Sequence, residues 1–187
     1  MIIVVLGWGS LCWDPRVLRI RGDWRTDGPD LPIEFARVSG DGRLTLVLRK
    51  RAKRVRVLWA EMNTTTLNKA IGNLKEREGT NRESIGWVDL HNPSNNNCNV
   101  VRTAQIGIKR WARRKHFDAV VWTDLQRNFL EKTGRKLDGD NVIAYLKHLA
   151  GERRNKAEEY IRRAPRQIRT RMRCIIEDRL GWTYTVR

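Results

Sequence analysis

The chain has 187 residues, a length sufficient for one well-cored domain. Its composition, 40% hydrophobic and 32% charged, is that of a globular protein and argues against an intrinsically disordered chain. The formal net charge of +17 predicts a surface that attracts polyanions, anionic metabolites or acidic partners in a salt-dependent way.

The cysteines and the apolar runs indicate the setting of the protein. Cys12, Cys98 and Cys174 are odd in number and widely separated, which argues against a disulfide framework and against a paired-thiolate zinc site. No apolar run approaches the length of a membrane span, and the first run is too short for a signal peptide. We therefore expect a reducing, cytoplasmic location and no association with a membrane.

The first fifteen residues are the stretch around which the rest of the chain is organised. Ile2 to Leu6 is a continuous aliphatic run and predicts a buried strand. The loop that follows, GWGSL, has two glycines that permit close approach of the backbone to a ligand, and its N–H groups suit an anion or a carbonyl. The alternative is a tight connection with a packing role only. Asp14 and Pro15 then predict a short helical turn through Leu18.

The middle of the chain is predicted to be mostly strands. The polar segment 19–32 is rich in Gly, Asp and Pro and is predicted to be a surface loop. Alternation and β-branched composition predict strands at 32–39, 44–48, 55–62, 85–90, 100–108 and 117–122. A helix is predicted from Leu67, with Gly79 as its left-handed C-cap. The basic run 49–54 is predicted as a hairpin tip, either simply solvated or a phosphate-contacting finger.

From Gly139 onward the pattern becomes helical and basic. Helices are predicted at 141–149, 152–164 and 165–180, and Gly181 ends the last one. Their polar sides carry Arg153, Arg154, Arg162, Arg163, Arg166, Arg169, Arg171 and Arg173. Strands first and helices last predict a single α+β domain over residues 1–187, built on a small mixed β-barrel or a curled sheet. Residues 139–187 are then a basic helical C-terminal extension packed on it.

Two of these motifs, taken together, resemble the γ-glutamylcyclotransferase-like family. The family begins with an apolar strand followed by Tyr-Gly-Ser and Asn or Leu, and the residues VLGWGSL from Val5 to Leu11 stand in that place. The ChaC-type branch is the most similar in this loop. The second family block, a strand with Val-x-Trp, an Asn/Thr linker, a short helix and a Glu-Gly pair, is matched by residues 57–59 and by Glu78-Gly79. The third family block is a tyrosine in a C-terminal helix, and Tyr160 is its possible match in this chain.

The resemblance covers residues 2–90 well and the C-terminal part loosely, and Trp8 replaces the family's tyrosine. It implies a fold of the γ-glutamylcyclotransferase-like type and an enzyme that releases 5-oxoproline and a free amine from a small γ-glutamyl substrate. It implies Glu78 as the acid and base, and no metal or organic cofactor. It implies substrate binding by Val5, Leu6, Gly7, Trp8, Gly9, Ser10, Leu11 and Tyr160. Glutathione, γ-glutamyl amino acids and γ-glutamylamines all stay open as substrates.

Each of these assignments has a simpler alternative. Glu78 could be a surface glutamate that forms ion pairs within Lys75-Glu76-Arg77-Glu78, and Tyr160 could pack on the sheet. The whole chain could be a binding module on the same fold that holds nucleic acid or another polyanion and has no cyclotransferase activity. A third interpretation is that the chain has the same fold but catalyses a different reaction, on the γ-glutamyl or isopeptide bond of a larger acidic partner.

Overall fold

The computed structural model describes residues 1–92 and 94–185, which fold into two β-sheets and six α-helices. The strands are β1 (Ile3–Gly7), β2 (Ile20–Arg25), β3 (Asp30–Val38), β4 (Leu44–Leu48), β5 (Arg54–Arg56), β6 (Leu58–Met62), β7 (Ile85–Asp89), β8 (Asn96–Asn97) and β9 (Ala119–Thr123). The helices are α1 (Leu67–Glu78), α2 (Arg102–Arg114), α3 (Phe129–Thr133), α4 (Gly139–His148), α5 (Gly151–Arg163) and α6 (Arg171–Leu180). None of the helices in this described part is long and apolar enough to cross a membrane.

The first sheet is mixed and places β1 near its centre. Its strand order is β2-β6-β1-β9-β7-β8, in which β1 runs parallel to β9 and antiparallel to β6. The second sheet has three antiparallel strands in the order β4-β3-β5. The α+β class is thus confirmed, whereas the strands of the described residues form no closed barrel. Because β1 is flanked on both sides, the loop after Gly7 emerges from the middle of the sheet.

The two faces of the first sheet are buried in two separate cores. Successive side chains of a strand point to opposite faces. Ile3 and Val5 therefore pack with the apolar stripe of α1, whereas Val4 and Leu6 pack in the larger core that contains the second sheet and residues of α2, α4, α5 and α6. Within that larger core α5 contacts β4, and α6 contacts β3. The second sheet therefore packs against the C-terminal helices, and Tyr160 of α5 also reaches the loop after β1.

Two segments have a secondary structure that differs from the one predicted from the sequence. Residues 20–25 form an edge strand instead of a loop, and β2 can be polar because it pairs with β6 on one side only. Residues 102–114 form α2, whereas a strand was predicted at 100–108. Apolar residues within 100–108 happen to fall at nearly every second position. Over so short a window this alternation resembles that of a strand. The helical stripe becomes visible only when Trp111 and Ala112 are included with Ala104 and Ile108.

The connections near the basic run also differ from the prediction. The predicted strand 55–62 is interrupted at Val57, because β5 pairs with β3 in the second sheet and β6 pairs with β1 in the first. Residues 49–54 join β4 to β5, which lie on opposite sides of β3, so this run is not a hairpin tip. Residues 15–18 form a single turn, in which the N–H of Leu18 donates to the carbonyl of Pro15 at 2.9 Å, and no longer helix follows. α6 begins only after Thr170, whose side chain caps it.

Other predictions are confirmed in detail. The helix predicted from Leu67 is α1, and Gly79 ends it in the left-handed conformation with φ of 58°. The predicted buried strand before Thr123 is β9, and Gly181 ends α6 with φ of 66°. The end of α1 is the element that carries the predicted acid and base, Glu78.

Gly86 provides a test of the packing between β7 and β9. It lies directly opposite Trp122, and a Cβ added to it would lie 2.1 Å from the indole ring, which is fully buried. We expect Gly86→Ala to lower the free energy of unfolding by about 2 kcal/mol or more, because the ring has no space to move into. Chemical denaturation measures this, with Gly40→Ala as the control, since an added Cβ at Gly40 meets no atom within 4 Å. Equal stability of the two variants would contradict this packing.

Candidate active site

A cavity of about 290 Å³ opens at the carboxyl end of β1. Its walls come from the loop after β1, the end of α1, the strands β3 and β4, and Tyr160 of α5. Of the nine site residues predicted from the sequence, eight line it: Leu6, Gly7, Trp8, Gly9, Ser10, Leu11, Glu78 and Tyr160. Val5 does not, because its side chain lies on the other face of the first sheet, in the core under α1.

The loop after β1 is shaped by a tight turn and by two close approaches. The N–H groups of Cys12 and Trp13 donate to the carbonyls of Gly9 and Ser10 at 3.0 and 3.2 Å and close a single 3₁₀ turn. A Cβ at Gly9 would lie 2.3 Å from the hydroxyl oxygen of Tyr160, and a Cβ at Gly7 would lie 2.5 Å from the ring of Trp24. Both glycines are therefore required by the neighbours that the loop touches.

Trp8 and Tyr160 hold the same residue of the second sheet. The indole N–H of Trp8 donates to the carbonyl of Leu46 at 3.2 Å, and the N–H of Leu46 donates to the hydroxyl of Tyr160 at 3.3 Å. Leu46 lies on β4, an edge strand with free backbone groups on one side. Trp8 thus connects the loop to the second sheet.

Tyr160 is a neutral phenol in this site. Its burial, together with the negative charge of Glu78, raises the pKa of the phenol to about 12. The oxygen accepts a hydrogen bond from Leu46, so its own proton is available to a ligand in the cavity. Tyr160 therefore both supports the cavity wall and offers a hydrogen-bond donor.

Glu78 lies at the end of α1 and is paired with its neighbour, Arg77. The side chains of Arg77 and Glu78 are 2% and 15% exposed, and Arg77 Nη1 is 2.8 Å from Glu78 Oε1. Arg77 Nη2 donates to the carbonyl of Asp14 at 2.6 Å and to the hydroxyl of Ser10 at 3.3 Å. One buried guanidinium thus joins the two sequence motifs, the glycine loop and the Glu-Gly pair.

Arg77 is a residue of the site that was not predicted from the sequence. A signal for it exists, because Arg77 falls on the same helical stripe as Ala70 and Leu74, where an apolar residue is expected. Its Nε is buried and has no hydrogen-bond partner among the described residues. A buried charged group on an apolar stripe requires specific partners, and for Arg77 these are Glu78, Ser10 and the carbonyl of Asp14.

Three further arginines give the cavity a positive charge. Arg16, Arg37 and Arg43 line it beside Arg77, and Glu78 is the one acidic residue in the described lining. Arg16 and Arg43 pair with Asp14 and Asp41 respectively. Arg37 donates to the carbonyl of Gln126 at 2.8 Å and has no carboxylate partner within the described part of the chain. The lining therefore favours a ligand with at least one negative charge.

The other reactive side chains have structural roles. Burial raises the pKa of the Cys12 thiol well above its ordinary value, and the nearby charge of Arg77 only partly opposes this, so Cys12 is a protonated thiol. Asp124 is buried outside the cavity and accepts hydrogen bonds from the N–H groups of Asn99 and Val100. Asp118 pairs with His91. Asp118 and Asp124 thus flank β9 at its two ends, and neither lines the cavity.

Comparisons with known proteins return no match: no family model, no curated protein and no solved structure matches the chain. The chemistry of the cavity lining is therefore the basis for a functional assignment. It combines one carboxylate held by a buried guanidinium, a neutral phenol, a glycine-containing loop and a surplus of positive charge.

Proposed function

We propose that the protein is a γ-glutamylcyclotransferase-like enzyme, which releases 5-oxoproline and a free amine from a γ-glutamyl compound. The observation that carries the proposal is that the Gly7–Leu11 loop, Glu78 and Tyr160, which are far apart in the sequence, line one cavity. The resemblance in sequence assigns binding and catalysis to these same residues. We further propose that the two sheets are a variant of the fold of that family.

The proposed reaction needs one group that first accepts a proton from the substrate and later donates a proton to the leaving amine. The carboxylate of Glu78 takes a proton from the α-ammonium group of the substrate, and the resulting amine attacks the γ-carbonyl carbon to form a five-membered ring. The bond from that carbon to the leaving nitrogen then breaks while the protonated Glu78 returns the proton to this nitrogen. The ring nitrogen still carries two protons, and it gives one of them up to the released amine, which leaves as an ammonium ion while the ring nitrogen becomes the N–H of the lactam. A single carboxylate serves as base and then as acid.

The rest of the site positions the substrate. Amine and carbonyl belong to one molecule, so much of the acceleration comes from holding them close together. The loop after β1 and the hydroxyl of Tyr160 supply donors for the developing oxyanion. The positive charge of the lining favours binding of the substrate's α-carboxylate.

Release of 5-oxoproline by the purified protein tests this function. The panel contains γ-glutamyl amino acids, glutathione and γ-glutamylamines, with 5-oxoproline measured by mass spectrometry. We expect release from at least one member at a rate proportional to the protein concentration. No release from any member, at high protein concentration, would overturn the proposal.

The cavity charge predicts which γ-glutamyl compound is preferred. Arg37, from the second sheet, has no carboxylate partner among the described residues and can pair with a carboxylate on the leaving amine. We expect kcat/KM for γ-glutamylalanine to exceed that for γ-glutamylalaninamide by about 10-fold or more, which corresponds to one charge-assisted hydrogen bond. Arg37→Gln should remove most of this preference.

The control for this preference is Arg135→Gln, which removes one exposed charge outside the cavity. It should leave the ratio of the two kcat/KM values unchanged. A wild-type protein that cleaves both compounds equally well would contradict the role of Arg37 without affecting the proposed reaction.

A further inference from the structure

The solvent-facing side of α2 is strongly basic. Ala104, Ile108, Trp111 and Ala112 form the buried side of this helix. At 100° per residue, the five basic residues of the helix fall within an arc of about 140° on the other side. We call this the α2 basic face, and it consists of Arg102, Lys109, Arg110, Arg113 and Arg114.

The charges of the α2 basic face are not neutralised by the protein. The sequence has no Asp or Glu from residue 90 to residue 117. Within residues 1–92 and 94–185, none of the five basic residues forms an ion pair; the nearest basic neighbour that does is Lys115, paired with Asp27. The C-terminal helices differ, because Arg162, Arg163 and Arg173 are paired with glutamates of their own helices.

The basic run 49–54 enlarges this surface. A Cβ added to Gly107 of α2 would lie 3.2 Å from Nη2 of Arg54, so the end of the run lies against the helix. Lys50, Arg51 and Lys53 are exposed in the same run and also form no ion pair in the described part of the chain. Arg54 thus extends the α2 basic face outside the cavity, and the other basic residues of the run precede it in the sequence.

We propose that the α2 basic face binds the phosphate backbone of double-stranded DNA. Closely spaced arginines without carboxylate partners suit phosphates, because a polyanion that they neutralise releases its counterions. α2 is 13 residues long, about 20 Å, and the width of a helix fits the major groove of B-form DNA. The deep, narrow major groove of A-form RNA does not admit such a helix.

Single strands fit this surface less well than a duplex. Proteins that hold single strands stack the bases on exposed aromatic side chains. The aromatic residue of α2, Trp111, is buried in the core, and the exposed residues among 49–54 are all basic. The basic residues of this surface therefore offer contacts to phosphates, and the exposed large apolar side chain among them is the aliphatic Ile106, which gives a base no aromatic ring on which to stack.

Fluorescence anisotropy with a labelled 20-base-pair DNA duplex of mixed sequence tests the proposal. The test variant carries Arg102→Gln, Arg110→Gln, Arg113→Gln and Arg114→Gln, all at exposed positions. The control variant carries Lys147→Gln, Arg153→Gln, Arg166→Gln and Arg171→Gln, which remove the same charge from exposed positions on the C-terminal segment. Circular dichroism and thermal unfolding verify that both variants are folded.

We expect the test variant to bind the duplex at least 10-fold more weakly than the control variant at the same salt concentration. The plot of log K against log salt should also become less steep by about 2–4 units in the test variant, because each lost phosphate contact accounts for about 0.9. Equal weakening of the two variants would overturn the proposal, since binding would then follow net charge alone. Absence of duplex binding by the wild type, or tighter binding of RNA or single-stranded DNA, would overturn it as well.

Discussion

Glu78→Gln is expected to reduce 5-oxoproline release by about 10²–10⁴-fold, the range contributed by a general acid or base. Gln keeps the size of the side chain, and its carbonyl can still accept a hydrogen bond from Arg77 Nη1. It cannot take or return a proton. We therefore expect the variant to fold and to bind substrate, with nearly all of the loss in kcat.

The control is Glu76→Gln, which removes the same charge from an exposed position on the same helix, outside the cavity. It should retain the full rate. Initial rates at saturating substrate for the two variants give the comparison. Comparable activity in Glu78→Gln and wild type would show that another group carries the proton.

Arg77→Met is expected to lower kcat/KM about 100-fold, through the position of Glu78 and not through the protonation chemistry itself. The guanidinium joins Glu78 to Ser10 and to the carbonyl of Asp14, so its loss frees the carboxylate from the loop. A misplacement of about 1 Å at a reacting group can reduce the rate by this factor. Loss of one member of a buried pair also lowers the free energy of unfolding, by about 3 kcal/mol.

Because the variant is less stable, its activity must be measured at a temperature where circular dichroism shows it folded. Lys75→Met is the matched control, since Lys75 is exposed on the same helix. Lys75→Met should change neither kcat/KM nor the free energy of unfolding. If the folded Arg77→Met protein retained wild-type kcat/KM, the role of Arg77 would be confined to stability.

The site was predictable where local sequence determines backbone shape. The aliphatic run before Gly7 predicted the central strand, and the Thr66-to-Gly79 pattern predicted α1 and hence the place of Glu78. Both elements depend on nearby residues. Val5, which the resemblance implied as a substrate-binding residue, instead packs in the core under α1, because successive side chains of β1 point to opposite faces of the sheet.

The cationic lining was not predictable, because it depends on contacts between distant segments. Arg37 lies on β3, and Arg43 lies just before β4. From the sequence alone, a charged residue at such a position is predicted to face solvent. Their place in the cavity follows from the position of the second sheet over the central loop. A similar limit applies to α2, where an apparent strand pattern at 100–108 concealed a basic helix.

The two proposals assign the positive charge of the chain to separate tasks. Arg37 is proposed to bind a small anion in the cavity and Arg77 to position Glu78 there, whereas the α2 basic face lies outside the cavity. The arginines of α5 and α6 that pair with glutamates on their own helices contribute to neither. Variants of one surface should therefore leave the function of the other unchanged.

The identity of the product formed in ¹⁸O-labelled water tests the central claim most directly. Attack by the substrate's own amine gives 5-oxoproline that carries no ¹⁸O, together with the free amine, in equal amounts. Hydrolysis of the same γ-glutamyl bond instead gives glutamate with one ¹⁸O in its γ-carboxylate. Unlabelled 5-oxoproline, formed by the wild type and not by Glu78→Gln, is the result that we expect. Labelled glutamate would contradict the proposed cyclisation and assign the cavity to a hydrolase.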